Sequence, residues 1–228
     1  MKYLGGKHRL GKEIAKVLKF LFPSHKKYLE PFCGALGVLR HMSSEYKCLA
    51  SDLQCDMIKL WKEVKNNTFI PPKKITNKYY EKIKKSKGPT SMRGFVGFLC
   101  SWNGMYFAGL AEYKNTKRNV VNEAINDIKK IRPQIKNVKF MCKSYEKHSP
   151  KNTLIYCDPP YENTIGYSGV ENVFNHTNFW NTIRKWSKNN VVIISEENAP
   201  KDFICFWKKM YSRGRGFKTK KNKRKTKK

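Results

Sequence analysis

The sequence predicts an α/β fold on a doubly wound, mostly parallel sheet that carries an inserted, mainly helical lobe. Three observations support this. A strand, a glycine-bearing turn and a second strand follow one another between Lys27 and Asp52. Short apolar runs recur at Val138 to Cys142, Thr153 to Cys157 and Val191 to Ser195, and the last suits a buried parallel position. Helical periodicity occupies stretches between them.

Taken in order, Leu10, Ile14, Val17, Leu18 and Leu21 recur at helical spacing, so Leu10 to Phe22 reads as an amphipathic helix ending before Pro23. Lys27 to Glu30 is a short strand. The turn from Pro31 to Gly37 leads into a helix expected around Val38 to Ser43, and Cys48 to Ser51, closed by Asp52, is the next strand. From Asn66 to about Lys139 the pattern loosens. Here lie Pro71-Pro72, a lysine-rich stretch to Lys87, Gly88-Pro89, an aromatic segment from Phe95 to Tyr113 and a helix from Val121 to Arg132. Residues 66–137 are therefore read as a lobe inserted into a principal domain of residues 1–65 and 138–211. That domain resumes with the three apolar strands and a helix from Thr177 to Lys188. The alternation of strands and helices is Rossmann-like. Residues 212–228 are a low-complexity basic tail, expected to be disordered when unbound.

Composition narrows the class. At 228 residues and 39% hydrophobic content the chain is long enough for one well-buried core. No run approaches the roughly 18 apolar residues of a membrane span, and no apolar secretory stretch follows the N-terminal Met-Lys-Tyr. The expectation is an intracellular protein with no membrane partner, cytoplasmic, or nuclear or in a viral factory in a eukaryotic host. Seven scattered cysteines include no Cys-x-x-Cys pair and no Cys/His cluster at metal spacing, so reduced core thiols and no metal are expected. The formal net charge of +31 gathers polyanions, which makes nucleic acid the natural partner. Ten of the 48 basic residues fall in the last sixteen positions, so the tail alone does not account for the charge. Biased composition, with lysines solvating helix faces, is the competing account.

Two strand ends stand out. Glu30-Pro31-Phe32-Cys33-Gly34-Ala35-Leu36-Gly37 is followed by Asp52 at the end of the next strand, the spacing at which an acid recognises a ribose hydroxyl. The full G-x-G-x-x-G is lacking, which favours a single nucleoside over a dinucleotide; a glycine turn capped by Asp52 is the bland alternative. At the second end, the strand to Cys157 runs into Asp158-Pro159-Pro160-Tyr161. The prolines stiffen the turn and push Asp158 toward an extended conformation. The turn offers a carboxylate, a carbonyl and an aromatic face. An adenine amine, whose lone pair is delocalised into its ring, needs two positioned acceptors and a surface to stack on, and Asp158, Pro159 and Tyr161 supply them.

Tyr3-Leu4-Gly5-Gly6-Lys7, Glu30-Pro31-Phe32-Cys33-Gly34, Ser51-Asp52 and Asp158-Pro159-Pro160-Tyr161, in this order, resemble the Dam-type (D12 class) DNA adenine-N6 methyltransferases. The resemblance extends to about Trp207, and stretches such as Arg93 to Phe98 and Ser195 to Pro200 resemble phage-like members. It implies the S-adenosylmethionine-dependent methyltransferase fold, S-adenosylmethionine as cofactor, and a double-stranded DNA partner whose target adenine is flipped out of the stack. It places Tyr3, Lys7, Glu30, Pro31, Phe32, Gly34 and Asp52 around the cofactor, and Asp158 between cofactor and adenine. No covalent intermediate is needed, so Cys157 is read as packing rather than nucleophile. Arg93, Trp102, Asn103 and Tyr106 are candidates for DNA contact; lobe core is the alternative for Trp102, Tyr106 and Phe107, and a solvated face is the alternative for Arg93. The lysines Lys73, Lys74, Lys82, Lys84 and Lys85 are phosphate-contact candidates that a solvated face explains nearly as well. His176 reads as a helix-cap residue or a pocket wall. The expected state is a monomer or a weak dimer. The lobe lacks the family's tyrosine- and arginine-rich reading hairpin, so no target sequence is inherited. Methylation of RNA adenine or of another amine, or nucleic-acid binding without catalysis, are the alternatives.

Overall fold

The computed structural model describes residues 1, 3–112, 116, 118–161 and 174–209, so the basic tail expected at 212–228 lies outside the described residues. Met1–Glu197 form one compact unit and Asn198–Lys228 a second. Within the first, five strands form one parallel sheet in the order β3-β2-β1-β4-β5. They are β1 (Lys27–Glu30), β2 (Lys47–Asp52), β3 (Lys139–Cys142), β4 (Leu154–Cys157) and β5 (Val191–Ile194). The chain fills the sheet outward from β1 in one direction and then, through β4, in the other. The order therefore reverses between β1 and β4, and a crevice opens beyond the carboxyl ends of strands at such a switch point. Glu30 ends β1 and Asp158 directly follows β4, so both stand at the reversal.

β4 reads Leu-Ile-Tyr-Cys and every residue is buried, as a strand covered on both faces requires. β5, at the sheet's margin, is half-buried throughout. α1 (Gly11–Leu21) buries Ile14, Ala15 and Leu18 and ends two residues before Pro23. It lies so close to the glycine turn that a Cβ on Gly11 would stand 1.8 Å from the Gly37 carbonyl oxygen, so only glycine fits there. α2 (Cys55–Asn66) presents Met57, Ile58, Leu60, Trp61 and Val64 to the core and ends at Asn67 in the left-handed region. α6 (His176–Ser187) is capped by the Asn175 side chain, which accepts from the Asn178 N–H.

The helix expected around Val38 to Ser43 is a single 3-10 turn, Leu39–His41. Backbone with positive φ at Gly34 and Leu36 occupies the start of this connection, and the chain leaves the 3-10 turn at Met42, whose N–H bonds the Leu39 carbonyl. The thiol expectation also fails in one place. Cys55, opening α2, and Cys142, ending β3, are joined in a disulfide with Cα atoms 5.1 Å apart. Pairing of β2 with β3 sets Asp52 opposite Cys142, and the short return into α2 brings Cys55 back beside it. A sequence separation of 87 gives no local signal of this contact.

Residues 66–137 carry α3 (Asn77–Lys85), α4 (Ser91–Gly94) running into a π-helical turn (Phe95–Leu99), a 3-10 turn (Trp102–Gly104) and α5 (Val120–Ile131). Phe95, Val96, Phe98, Val121 and Ile128 join the same core as Met57, Leu60 and Trp61, so this segment is packed onto the sheet's helices. Gly94 allows the contact: a Cβ there would lie 2.5 Å from the Asp56 carbonyl oxygen. None of the described helices is long and apolar enough to cross a membrane. In the second unit the described residues include a turn at 201–203 and exposed Ile204 and Phe206.

Candidate active site

The turn after β1 is held from several sides. Gly34 donates its N–H to Asp52 Oδ2 at 2.8 Å and its carbonyl accepts the Trp61 indole N–H at 2.8 Å. Cys33 N–H reaches the Ser51 carbonyl at 3.0 Å. Gly34 has φ +40°, and a Cβ there would stand 3.0 Å from the Tyr3 ring. Tyr3 in turn lies 5.1 Å from Phe98, centroid to centroid, and Lys7 backbone lies within 3.0 Å of the Cβ position of Gly37. The N-terminal segment is thus laid over the turn, which brings Tyr3, Lys7, Gly34 and Asp52 together. Leu53, next along, is 60% exposed beside Asp52 and offers an apolar plate that sequence reasoning missed.

Asp52 Oδ1 accepts the Gln54 N–H at 2.9 Å, so both carboxylate oxygens are oriented by backbone donors. Burial raises its pKa from the ordinary value, and these donors oppose the rise. Glu30 is only 3% exposed and accepts the Tyr28 hydroxyl at 2.9 Å. Burial raises its pKa well above the ordinary value, and the Tyr28 hydroxyl opposes the shift. Pro31 is buried, and Phe32 packs against Tyr145, Phe174 and Phe179 at 5.2, 5.9 and 5.8 Å in an aromatic wall. His176 meets Phe174 edge-on at 4.9 Å as the first residue of α6.

Across the switch point, Asp158 receives a charge-assisted hydrogen bond from Lys7. Burial raises the Asp158 pKa and Lys7 opposes the shift. Burial also works against the Lys7 ammonium, but Asp158 and Tyr161 outweigh it and raise its pKa above the ordinary value. The Lys7 nitrogen sits 4.8 Å from the Tyr161 ring centroid. Beneath this turn the Tyr156 hydroxyl and Ser195 Oγ are hydrogen-bonded at 2.6 Å, tying β4 to the end of β5. Cys157 is fully buried and burial pushes its thiol well up, which removes it as a nucleophile.

Arg93 and Tyr106 are half-buried and hydrogen-bonded within the protein. The Arg93 guanidinium donates to the carbonyls of Ile83, Lys84 and Ser86 at 3.0, 2.9 and 2.6 Å, capping α3, and to Tyr106 Oη at 2.8 Å. Its Nε pairs with Asp56 at 3.3 Å, and the Tyr106 hydroxyl donates to the same carboxylate. Asp56 is a buried acid that no spacing rule singled out. Trp102 remains 47% exposed, and Asn103 is held at φ 52°. The Gly104 carbonyl accepts the Leu4 N–H at 3.3 Å, so this turn abuts the N-terminal segment that carries Lys7. Among the described residues no group of His, Cys, Asp or Glu has the geometry to hold a metal ion.

A five-stranded parallel sheet with helices, and acids at the ends of β2 and β4, has the architecture of an S-adenosylmethionine-dependent methyltransferase. The sequence profile of the D12 class N6 adenine-specific DNA methyltransferases matches residues 3–96 and 97–226. The chain belongs to that family and methylates adenine in DNA site-specifically. It is 29% identical over 200 residues to a DNA adenine methylase of Haemophilus influenzae, covering 75% of this chain and 68% of that protein. It is 26% identical over 202 residues to the Type II methyltransferase M.MjaIII of Methanocaldococcus jannaschii, covering 71% of this chain and 68% of that protein.

Proposed function

We propose that the methyl donor is S-adenosylmethionine and that the acceptor is the N6 amine of an adenine flipped out of duplex DNA onto Asp158, Pro159 and Tyr161. The observation that carries this reading is the pairing of two sites across one switch point: an oriented Asp52 beside the open turn at Gly34, and Asp158 at the end of β4. The cradle fits an adenosine: Asp52 for the ribose hydroxyls, exposed Leu53 for the base, and Tyr3, Lys7, Glu30, Pro31, Phe32 and Gly34 around the methionine end. When bound, S-adenosylmethionine supplies an electrophilic methyl group on a sulfonium.

The chain's own residues then act on the amine. Asp158 Oδ and the Pro159 carbonyl accept its two hydrogens, which returns electron density to N6 and aims its lone pair out of the ring plane. Tyr161 stacks on the purine and offsets part of the unstacking cost of a few kcal/mol. The proton that N6 releases on methylation is already hydrogen-bonded to one of these acceptors.

Residues 66–137 are the segment we assign to target recognition, with exposed Trp102 and Asn103 closest to the catalytic segment and the α3 lysines Lys82, Lys84 and Lys85 toward phosphate. Arg93 and Tyr106 serve this role by fixing the end of α3. A DNA substrate implies an intracellular site of action. The test is incubation with S-adenosylmethionine and unmethylated duplex DNA, followed by sequencing for N6-methyladenine. Wild-type protein should mark one sequence context, and Asp158→Ala should mark none while keeping its melting temperature. Equal or better activity on RNA, or none on several duplexes, overturns the reading.

A further inference from the structure

We propose that Cys55–Cys142 is a redox modification site that sets the affinity of the cofactor pocket: the bonded pair holds the high-affinity form, and a dithiol reductant converts it to a low-affinity one. The inference rests on the assignment of Asp52 and Leu53 to the cofactor's nucleoside. Cys55 stands three positions after Asp52, and the pairing of β2 with β3 sets Cys142 opposite Asp52. The Lys143 N–H donates to the Asp52 carbonyl at 3.1 Å, and Cys142 Sγ lies 3.9 Å from the Leu53 carbonyl oxygen. The disulfide therefore closes a small ring around Leu53 and Gln54. Both residues serve the pocket. The Gln54 N–H orients Asp52 Oδ1 at 2.9 Å, and Leu53 is the exposed plate for the base.

The bond is within reach of a reductant. Cys142 is exposed and Cys55 half-buried, whereas Cys33, Cys48, Cys100 and Cys157 are buried free thiols. In reducing compartments, where cellular DNA is held, disulfides are characteristically transient and redox-sensing. Cys55 opens α2, a helix of 12 residues whose N-terminal partial positive charge stabilises a departing thiolate. Exchange then runs in two steps. A thiolate of the reductant attacks Cys142 Sγ, the S–S bond breaks, and Cys55 leaves as a thiolate that takes up a proton. The reductant's second thiolate attacks the mixed disulfide and releases Cys142, which is protonated in turn. The protein pair gains two electrons and two protons, and the dithiol becomes a disulfide. A low-molecular-weight disulfide such as oxidised glutathione runs the exchange in reverse. Without the bond, Leu53 and Gln54 regain backbone freedom that the cofactor must remove again on binding, so affinity falls.

The experiment titrates S-adenosylmethionine calorimetrically into the full-length protein after treatment with oxidised glutathione or with dithiothreitol. The oxidised wild type should bind about five- to tenfold more tightly than the reduced, and re-oxidation should restore the affinity. In methylation assays the same change should appear in KM for S-adenosylmethionine, with kcat held within about twofold; a protein that merely unfolds on reduction loses kcat as well. Cys142→Ser should bind as weakly as the reduced wild type under either treatment. Cys205→Ser, which removes the exposed free thiol, should keep the full response. The wild-type comparison decides the matter even where Cys142→Ser folds poorly. Equal affinity in the two states overturns the proposal, as does a thiol count showing that oxidised glutathione forms no bond. A response that survives in Cys142→Ser, vanishes in Cys205→Ser or falls on kcat also overturns it. Absence of S-adenosylmethionine binding in either state is read separately and defeats the underlying functional reading.

Discussion

Asp52 Oδ2 accepts the Gly34 N–H at 2.8 Å, so the carboxylate expected to face a ribose also sets the position of the glycine turn beside it. One side chain thereby couples the ends of β1 and β2. Asp52→Ala should raise KM for S-adenosylmethionine at least about tenfold and lower stability by about 1–3 kcal/mol, because it strands two backbone N–H groups. Isothermal titration and urea unfolding check the two effects. An unchanged KM would remove Asp52 from the cofactor site.

Arg93 and Trp102 should separate cleanly. Arg93→Lys loses the fork that reaches three carbonyls at the end of α3, and a drop of about 1–3 kcal/mol in unfolding free energy is expected. Trp102→Ala, at an exposed turn, should stay within about 0.5 kcal/mol of wild type while weakening methylation of duplex DNA. Thermal unfolding alongside kcat/KM for DNA decides this. A stable Arg93→Lys that fails only in DNA binding would reverse the assignment.

Stability should depend on pH in two opposite ways. Burial lowers the pKa of His8 and His148 to about 4, with His148 Nε2 hydrogen-bonded to Ser51 Oγ at 2.8 Å. Between about 4 and the ordinary value near 6.5, the unfolded chain binds more protons than the folded one, so stability falls as pH drops through that window. Glu30 works the other way. Its raised pKa means the folded state holds the extra proton, so its contribution is lost as pH rises above the ordinary carboxylate range. Melting temperatures from pH 4 to 8 should flatten at the acid end in His148→Gln and at the neutral end in Glu30→Gln. If Glu30→Gln leaves the neutral slope unchanged, Glu30 is ionised in the folded protein.

Reduction of the Cys55–Cys142 disulfide frees the two stems of the 66–137 segment. The loss should be about 2–4 kcal/mol, seen as a lower urea midpoint in dithiothreitol. Cys55→Ser and Cys142→Ser should each reproduce the reduced midpoint and add nothing to the other. Identical midpoints with and without reductant would mean that the two sulfurs are not bonded in solution.

Strand spacing and the two turn motifs made the sheet and its reactive edge legible from the residues. Apolar runs of four or five residues between polar punctuation have few other uses, and a strand that ends in Asp-Pro-Pro-Tyr can present its carboxylate only at the sheet's rim. Periodicity predicts a helix after Gly37 where the structure has a single 3-10 turn, because apolar residues buried for packing carry the same signal as a helix face.

What the sequence determined by itself was the local chemistry: where strands end, which turns are rigid, and which acid lies near a glycine turn. Tertiary structure decided which of these groups meet. Lys7 reaches Asp158 across 151 positions, Arg93 and Tyr106 converge on Asp56, and Cys55 meets Cys142. None of these pairs has a period or a spacing, because side-chain partners far apart in the chain are chosen by the order of strands and the space that glycines leave between elements.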